Sequence, residues 1–121
     1  MKQGTGKVAE QSGQWGYYAE VKLEVAEDDG LLDVQVNWPR EIGDRWRVAV
    51  AFGVRYAWEH VSPHTTAGLR VLIHEVHWQP GDSSDLVVAV AAMRATWDAL
   101  GRAPKVPPII DAPSGRLTLA K

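Results

Sequence analysis

The sequence predicts an α+β domain of two layers, in which two helices lie on one face of a four-stranded sheet. Two stretches near the beginning of the chain alternate apolar and polar residues, as strands do. Two later stretches repeat apolar residues at helical spacing, and a strongly apolar stretch lies between these two predicted helices. With 121 residues, 45% of them hydrophobic, the chain is long enough for one domain and too short for two. Residues 1–121 are therefore predicted to form one domain, ordered over about residues 8–112, with loose ends at Met1–Ala9 and Ser114–Lys121.

The first two strands are predicted to form a hairpin. Apolar and charged residues alternate over residues 18–25, and the same period-2 pattern returns over residues 34–38. The acidic, Gly-containing segment 27–30 lies between them and has the composition of a solvated turn. Pro39 cannot donate to a sheet ladder, so it is predicted to end the second strand.

The first helix is predicted over residues 45–61, where apolar residues recur at helical spacing. Asp44 can cap its beginning, and Ser62 ends it because the residue before Pro63 is pushed out of helical geometry. Gly53 lies on the apolar stripe of this helix. The absence of a side chain there predicts close packing, and we expect the helix to approach a strand at this point.

A strand, a turn and a second helix follow. Residues 69–78 are apolar on both alternating sets and predict a strand inside the sheet. Asp82 is expected to cap the next helix, with Asp85 completing a capping-box-like pattern, and Gly101 is expected to end it. Residues 106–111 can supply the fourth strand, at an edge of the sheet because of two consecutive prolines.

Composition limits the classes of partner and chemistry. The chain has 13 basic and 15 acidic residues, so it lacks the broad positive surface of a protein that binds by neutralising phosphates. We expect no DNA binding, and any RNA contact must be local. There is no cysteine, which excludes disulfides, thiolate metal sites and a cysteine nucleophile.

No targeting or membrane segment is expected. Residues 1–14 are polar and Gly-rich, without the apolar core of a secretory signal. The longest apolar stretch, residues 86–93, is far shorter than the roughly 20 residues of a membrane helix. These observations predict a cytoplasmic protein that does not contact a membrane.

Three segments, taken in order, resemble domain IV of translation elongation factor G. They are residues 11–21, 49–54 and 81–85, with sequences QSGQWGYYAEV, AVAFGV and GDSSD. The first segment matches the family's Ser-Gly-x-x-Gly-x-Tyr pattern at four positions: Ser12, Gly13, Gly16 and Tyr18. The resemblance runs from Val8 to Asp111 and implies the fold of that domain, with an unusual left-handed strand–helix–strand crossover, opposite to the general handedness rule.

The resemblance also implies a function. In that family, this domain is the tip of a translational GTPase and enters the decoding site of the small ribosomal subunit through two loops. For this chain the resemblance implies a non-catalytic binding domain without the GTPase, whose partners are the ribosome or structured RNA. The residues placed in the two loops are Ser12, Gly13, Gln14, Trp15, Gly16 and Tyr17 in the first, and His77, Trp78 and Gln79 in the second.

Both loops depart from the family's pattern. Trp15 and Tyr17 stand where the family commonly has Arg and Gln, and Gln79 beside Pro80 takes the place of its usual His. Together with Trp78, these aromatic residues could stack on unpaired bases, which needs little net charge, or could bury against a protein partner. A protein–protein interaction or homodimerisation module therefore stays open as an alternative.

Other chemistry has simpler explanations. Ser83 or Ser84 with His77 as base would make a small hydrolase, but helix capping explains these serines without an oxyanion hole or third group. His74 and His77 are expected on opposite faces of a strand, too far apart to share a metal.

Histidines 60 and 64 flank Pro63 at a helix end and predict no metal pair, and the Gly-rich residues 4–7 lack the Ser or Thr of a phosphate loop. We predict no catalytic residue, no cofactor and no metal.

Overall fold

The computed structural model describes residues 2–12, 15–31, 33–61, 67–104, 109–111 and 116–118. The elements are, in chain order, strands β1 (Lys2–Ser12), β2 (Trp15–Asp28) and β3 (Val34–Asn37), a single 3-10 turn (Arg40–Ile42), helix α1 (Arg47–Val61), strand β4 (Gly68–Trp78), helix α2 (Asp85–Leu100), and strands β5 (Ile109–Asp111) and β6 (Arg116–Thr118). Among the helices of the described residues, none is both long and apolar enough to cross a membrane.

The sheet has four strands in the order β1-β2-β4-β3. Strand β2 is antiparallel to both β1 and β4, whereas β3 and β4 are parallel and connected through α1. The prediction that β2 and β3 form a hairpin is wrong, because β4 lies between them. Both helices pack on one face of this sheet, around the largest fully buried side chains, among them Leu23, Leu69, Ile73 and Met93. The predicted class, an α+β domain with a four-stranded sheet and two helices, is confirmed.

The fourth strand is not the predicted one. Residues 2–12 fill that place as β1, so the prediction that the N-terminal residues are loose is wrong from Lys2 onward. Ile109–Asp111 pairs instead with Arg116–Thr118 in a separate two-stranded sheet. Strand β1 escaped prediction because its buried positions are Gly4, Gly6 and Val8, and two glycines in three such positions give no apolar alternation.

Those two glycines let β1 lie directly on α2. A Cβ atom on Gly6 would overlap the carbonyl oxygen of Ala91 and the amide nitrogen of Ala95, and one on Gly4 would overlap the carbonyl oxygen of Ala95. The obstructing atoms are backbone atoms of a helix, which cannot move aside as a side chain can. Only glycine allows this separation between strand and helix.

Side chains of α2 also bind the outer edge of β1. The backbone N–H of Thr5 donates to a carboxylate oxygen of Asp98 at 2.9 Å, and the guanidinium of Arg94 donates to the carbonyl oxygen of Lys7 at 2.8 Å. Strand β1 is thus held by β2 along one edge and by α2 side chains along the other.

The two helices approach closely at Gly53. A Cβ atom there would overlap the carbonyl oxygen of Ala89 and lie 2.9 Å from the Cβ of Ala92. The prediction of close packing at Gly53 is confirmed, but its partner is α2 and not a strand. A buried hydrogen bond from the indole N–H of Trp97 to the carbonyl oxygen of Ala57, 3.0 Å long, joins the helices further along.

A β-bulge in β4 changes which residues face the solvent. Lys22 of β2 lies opposite Glu75, whereas the next residue, Leu23, lies opposite Ile73, so His74 has no partner in β2. The extra residue reverses the alternation, and Val76 therefore returns to the core side of the sheet, where it packs against the core.

His74 and His77 consequently lie on the same, open face of the sheet, and the prediction of opposite faces is wrong. The Nε2 atom of His74 is 2.8 Å from a Glu24 oxygen, and that of His77 is 3.0 Å from a Glu75 oxygen. The hydrogen bond from His77, followed by that from Lys22, lowers the pKa of the Glu75 carboxyl below its ordinary value. Within the described residues, no group of three or more potential ligands is placed to hold a metal ion.

Candidate binding site at the tip of the sheet

The two segments that carry the predicted binding residues meet at one end of the sheet. The last residue of β4, Trp78, lies opposite Ala19, near the beginning of the antiparallel strand β2. This pairing brings the β1–β2 turn beside the loop between β4 and α2. We call this end the tip, and define it by residues 16–18 and 78–84.

Two hydrogen bonds join the two sides of the tip, and a third lies within the loop. The backbone N–H of Tyr18 donates to the carbonyl oxygen of Asp82 at 2.9 Å. The hydroxyl of Ser83 donates to the carbonyl oxygen of Tyr18 at 2.6 Å and accepts the backbone N–H of Gln79 at 2.9 Å. Because Ser83 bridges both segments, the position of the loop is fixed relative to β2.

The loop itself is a tight turn. The backbone N–H groups of Asp82 and Ser83 both donate to the carbonyl oxygen of Gln79 at 3.1 Å, and Gly81 has a φ of 85°, a conformation that favours glycine. Ser84, not Asp82, caps α2, since its hydroxyl accepts the backbone N–H of Val87 at 3.3 Å. The predicted capping role of Asp82 is therefore wrong, and its backbone binds β2 instead.

A shallow depression of about 330 Å³ lies at the tip between the two segments. Its lining residues are Ala9, Glu10, Gly16, Tyr17, Tyr18, Gln79 and Asp82. The position of Gly16 has little spare room, because a Cβ atom there would lie 3.1 Å from an Asp82 carboxylate oxygen. The depression thus combines aromatic, amide and carboxylate groups on a backbone held by hydrogen bonds.

Trp78, the last residue of β4 and the chain neighbour of Gln79, is 46% exposed. Its ring contacts the buried Trp46 edge-on, with centroids 5.5 Å apart, and the Arg45 guanidinium stacks on the Trp46 ring at 3.9 Å. Trp78 is therefore oriented by packing, and the outer part of its ring stays open to a partner.

The structure brings together only some of the predicted binding residues. Gly16, Tyr17 and Gln79 line the depression and Trp78 directly precedes Gln79 in the chain, but the side chain of His77 is bound to Glu75. In the β1–β2 hairpin, the backbones of Ser12 and Trp15 pair with each other. Gly13 and Gln14 lie outside the described residues.

Sequence reasoning missed Glu10 and Asp82 as components of this site. Glu10 lies opposite Tyr17 in the β1–β2 ladder, so recognising β1 as a strand would have found it. The charges nearby are mixed: Arg94 is 3.9 Å from Glu10, and the Lys7 ammonium lies 5.8 Å from the centre of the Tyr18 ring. The lining residues themselves include no basic side chain, so the depression is not built to neutralise phosphate.

The two serines considered for the hydrolase alternative are both hydrogen-bonded within the fold. The hydroxyl of Ser83 is engaged with Tyr18 and Gln79, and that of Ser84 with Val87. His77, the base considered for such a reaction, has its Nε2 atom bound to Glu75. Both hydroxyls have structural partners, as capping and loop anchoring require.

Replacing Ser83 with alanine is expected to destabilise the domain by about 1–3 kcal/mol, because Tyr18 and Gln79 each lose a hydrogen-bond partner. Amide exchange should increase at Gln79, which donates to the serine hydroxyl. Ser84→Ala is the matched control, since it should instead expose the amide of Val87. Unchanged exchange at Gln79 in Ser83→Ala would contradict the bridging role.

Comparison with known proteins supports the fold alone. No family model and no curated protein matches the chain. A solved structure of a protein from Thermus thermophilus is similar, with a TM-score of 0.68 and 20% sequence identity over 85% of this chain. The chain spans only 16% of the length of that protein. At this identity the similarity establishes only that the two chains share an α+β fold.

Proposed function

We propose that the chain is a non-catalytic binding domain similar to the ribosome-contacting tip domain of translation elongation factor G, and that its tip binds structured RNA or a ribosome-associated partner. One observation carries the proposal. The segments around Gly16 and Asp82, which resemble that family in sequence, are distant in the chain but are hydrogen-bonded to each other through Tyr18 and Ser83.

The chemistry of the tip favours contact with unpaired bases over contact with phosphates. Tyr17 and Trp78 offer aromatic rings, and Gln79 offers an amide that can pair with a base edge. Stacking contributes about 1–3 kcal/mol per base and needs little positive charge. Binding of this kind is expected to weaken only gently with salt, and would place the protein in the cytoplasm with the ribosome.

Binding of the purified protein to small ribosomal subunits and to a structured RNA with an unpaired loop tests the proposal. Tyr17→Ala and Trp78→Ala should each weaken binding roughly 5- to 150-fold, as expected for loss of one stacked base. Glu59→Ala is the control, because Glu59 is an exposed residue of α1 that belongs neither to the tip nor to the lining of the depression. Absence of binding to both ligands at low salt would overturn the proposal.

A protein partner is the second candidate, favoured by Glu10 and Asp82 in the depression. Two carboxylates there repel phosphate and attract basic side chains. This candidate predicts binding to intact subunits or to isolated basic ribosomal proteins, but not to protein-free RNA. Equal loss of both kinds of binding in Tyr17→Ala would mean that one surface serves both partners.

A further inference from the structure

An apolar groove lies between α1 and α2, on their outer side. Its volume is about 310 Å³ and its lining residues are Val48, Ala49, Phe52, Asp85, Leu86 and Ala89. Val48 is 83% exposed, Phe52 47% and Leu86 45%, and these are three of the four large exposed hydrophobic residues in the described part of the chain. Concentration of exposed apolar side chains at one place is typical of a surface that another molecule covers.

The groove has a ridge beside it. Val48 and Phe52 are four residues apart on α1, and the Phe52 ring contacts that of Tyr56, four residues further, with centroids 6.2 Å apart. Side chains in such an i, i+4 row form a ridge that packs into the groove of another helical surface. The ridge and the groove belong to the same surface patch. In a two-fold dimer the same patch of each copy contacts the other copy, so one patch must carry both features.

Charged residues near the groove point to the same occupant. Arg45 lies 3.8 Å from Asp85, which lines the groove, and Arg47, the residue before Val48 in the chain, lies 3.9 Å from Asp44. All four side chains are largely exposed. Because both ion pairs are long and largely exposed, their members can exchange partners across an interface. A nucleic acid would require positive charge alone and a basic protein negative charge alone, whereas a surface with equal numbers of both complements itself.

We propose that a second copy of this chain covers the groove, with the α1 ridge of each copy in the α1–α2 groove of the other. The proposed interface contains none of the tip residues and is independent of what the tip binds. A dimer would present two tips in one particle, so that a ligand with two sites would be bound with increased avidity.

Sedimentation equilibrium from low to high micromolar concentration tests the proposal. The unmodified chain should show a concentration-dependent monomer–dimer equilibrium. Phe52→Glu should weaken dimerisation at least about 30-fold, because it places a charge at the apolar centre of the interface in both copies. Thr5→Glu adds the same charge on an exposed strand position and should leave the dimer intact. A strictly monomeric unmodified chain, or a Phe52→Glu variant that still dimerises normally, would overturn the proposal.

Cross-linking gives a second readout that is independent of stability. The chain contains no cysteine, so a single introduced thiol reports on one position. Val48→Cys should form covalent dimers with a short bismaleimide much faster than Thr5→Cys at the same concentration. Equal rates for the two variants, or capture only of other proteins, would contradict a second copy as the occupant.

Discussion

Gly6→Val is expected to destabilise the domain by about 3 kcal/mol or more, at the upper end of the cost of overpacking. The added side chain would overlap backbone atoms of Ala91 and Ala95 in α2. Relief requires β1 to move away from the helix, which would also break the hydrogen bonds between β1 and Asp98 or Arg94. Urea denaturation followed by circular dichroism measures the loss.

Thr5→Val is the matched control for this substitution. It introduces the same residue one position earlier in β1, where the side chain is exposed and the β-branched valine suits a strand. Its effect should stay within about 0.5 kcal/mol. Equal stability of Gly6→Val and the unmodified chain would mean that β1 does not lie on α2 as described.

Gly53→Ala is expected to destabilise by about 1–3 kcal/mol, the opposite sign to the usual effect of this substitution in a helix. Alanine normally stabilises a helix relative to glycine by about 1 kcal/mol. Here the new methyl group would overlap the carbonyl oxygen of Ala89, so that α1 would have to move away from the backbone of α2. Thermal unfolding should therefore occur at a lower temperature.

Glu59→Ala serves as the control within the same helix. Its side chain is exposed, so the substitution tests helix propensity without any change in packing. We expect its free energy of unfolding to change by less than about 0.5 kcal/mol. A stabilised Gly53→Ala variant would show that the helices have room to separate without cost.

The elements predicted correctly have a clear apolar pattern, which is a single period in β2, α1 and α2 and a continuous apolar stretch in β4. The alternation of Val21 and Leu23 with charged residues predicts β2, and helical spacing predicts α1 and α2. Strand β1 gave no such signal because two of its core-facing residues, Gly4 and Gly6, lie too close to a helix to carry a side chain. The bulge at His74 was also missed, since periodicity alone cannot show an inserted residue.

The candidate site was predictable only where it rested on the resemblance. Gly16, Tyr17 and Gln79 came from matching loops to a family, and the structure places all three in one depression. Glu10 could not be assigned to the site from the sequence, because its place there depends on the pairing of β1 with β2 and β1 was not predicted as a strand. The role of Ser83 as a bridge required knowing that the carbonyl oxygen of Tyr18 lies within reach of its hydroxyl.

The hydrogen bonds from α2 to the outer edge of β1 have a consequence for the behaviour of the protein at high concentration. An edge strand with free N–H and C=O groups is a template on which another chain can add a strand. In β1 the N–H of Thr5 is occupied by Asp98 and the carbonyl oxygen of Lys7 by Arg94. Two side chains of one helix therefore obstruct growth of the sheet from that edge, and their loss would favour aggregation by strand addition.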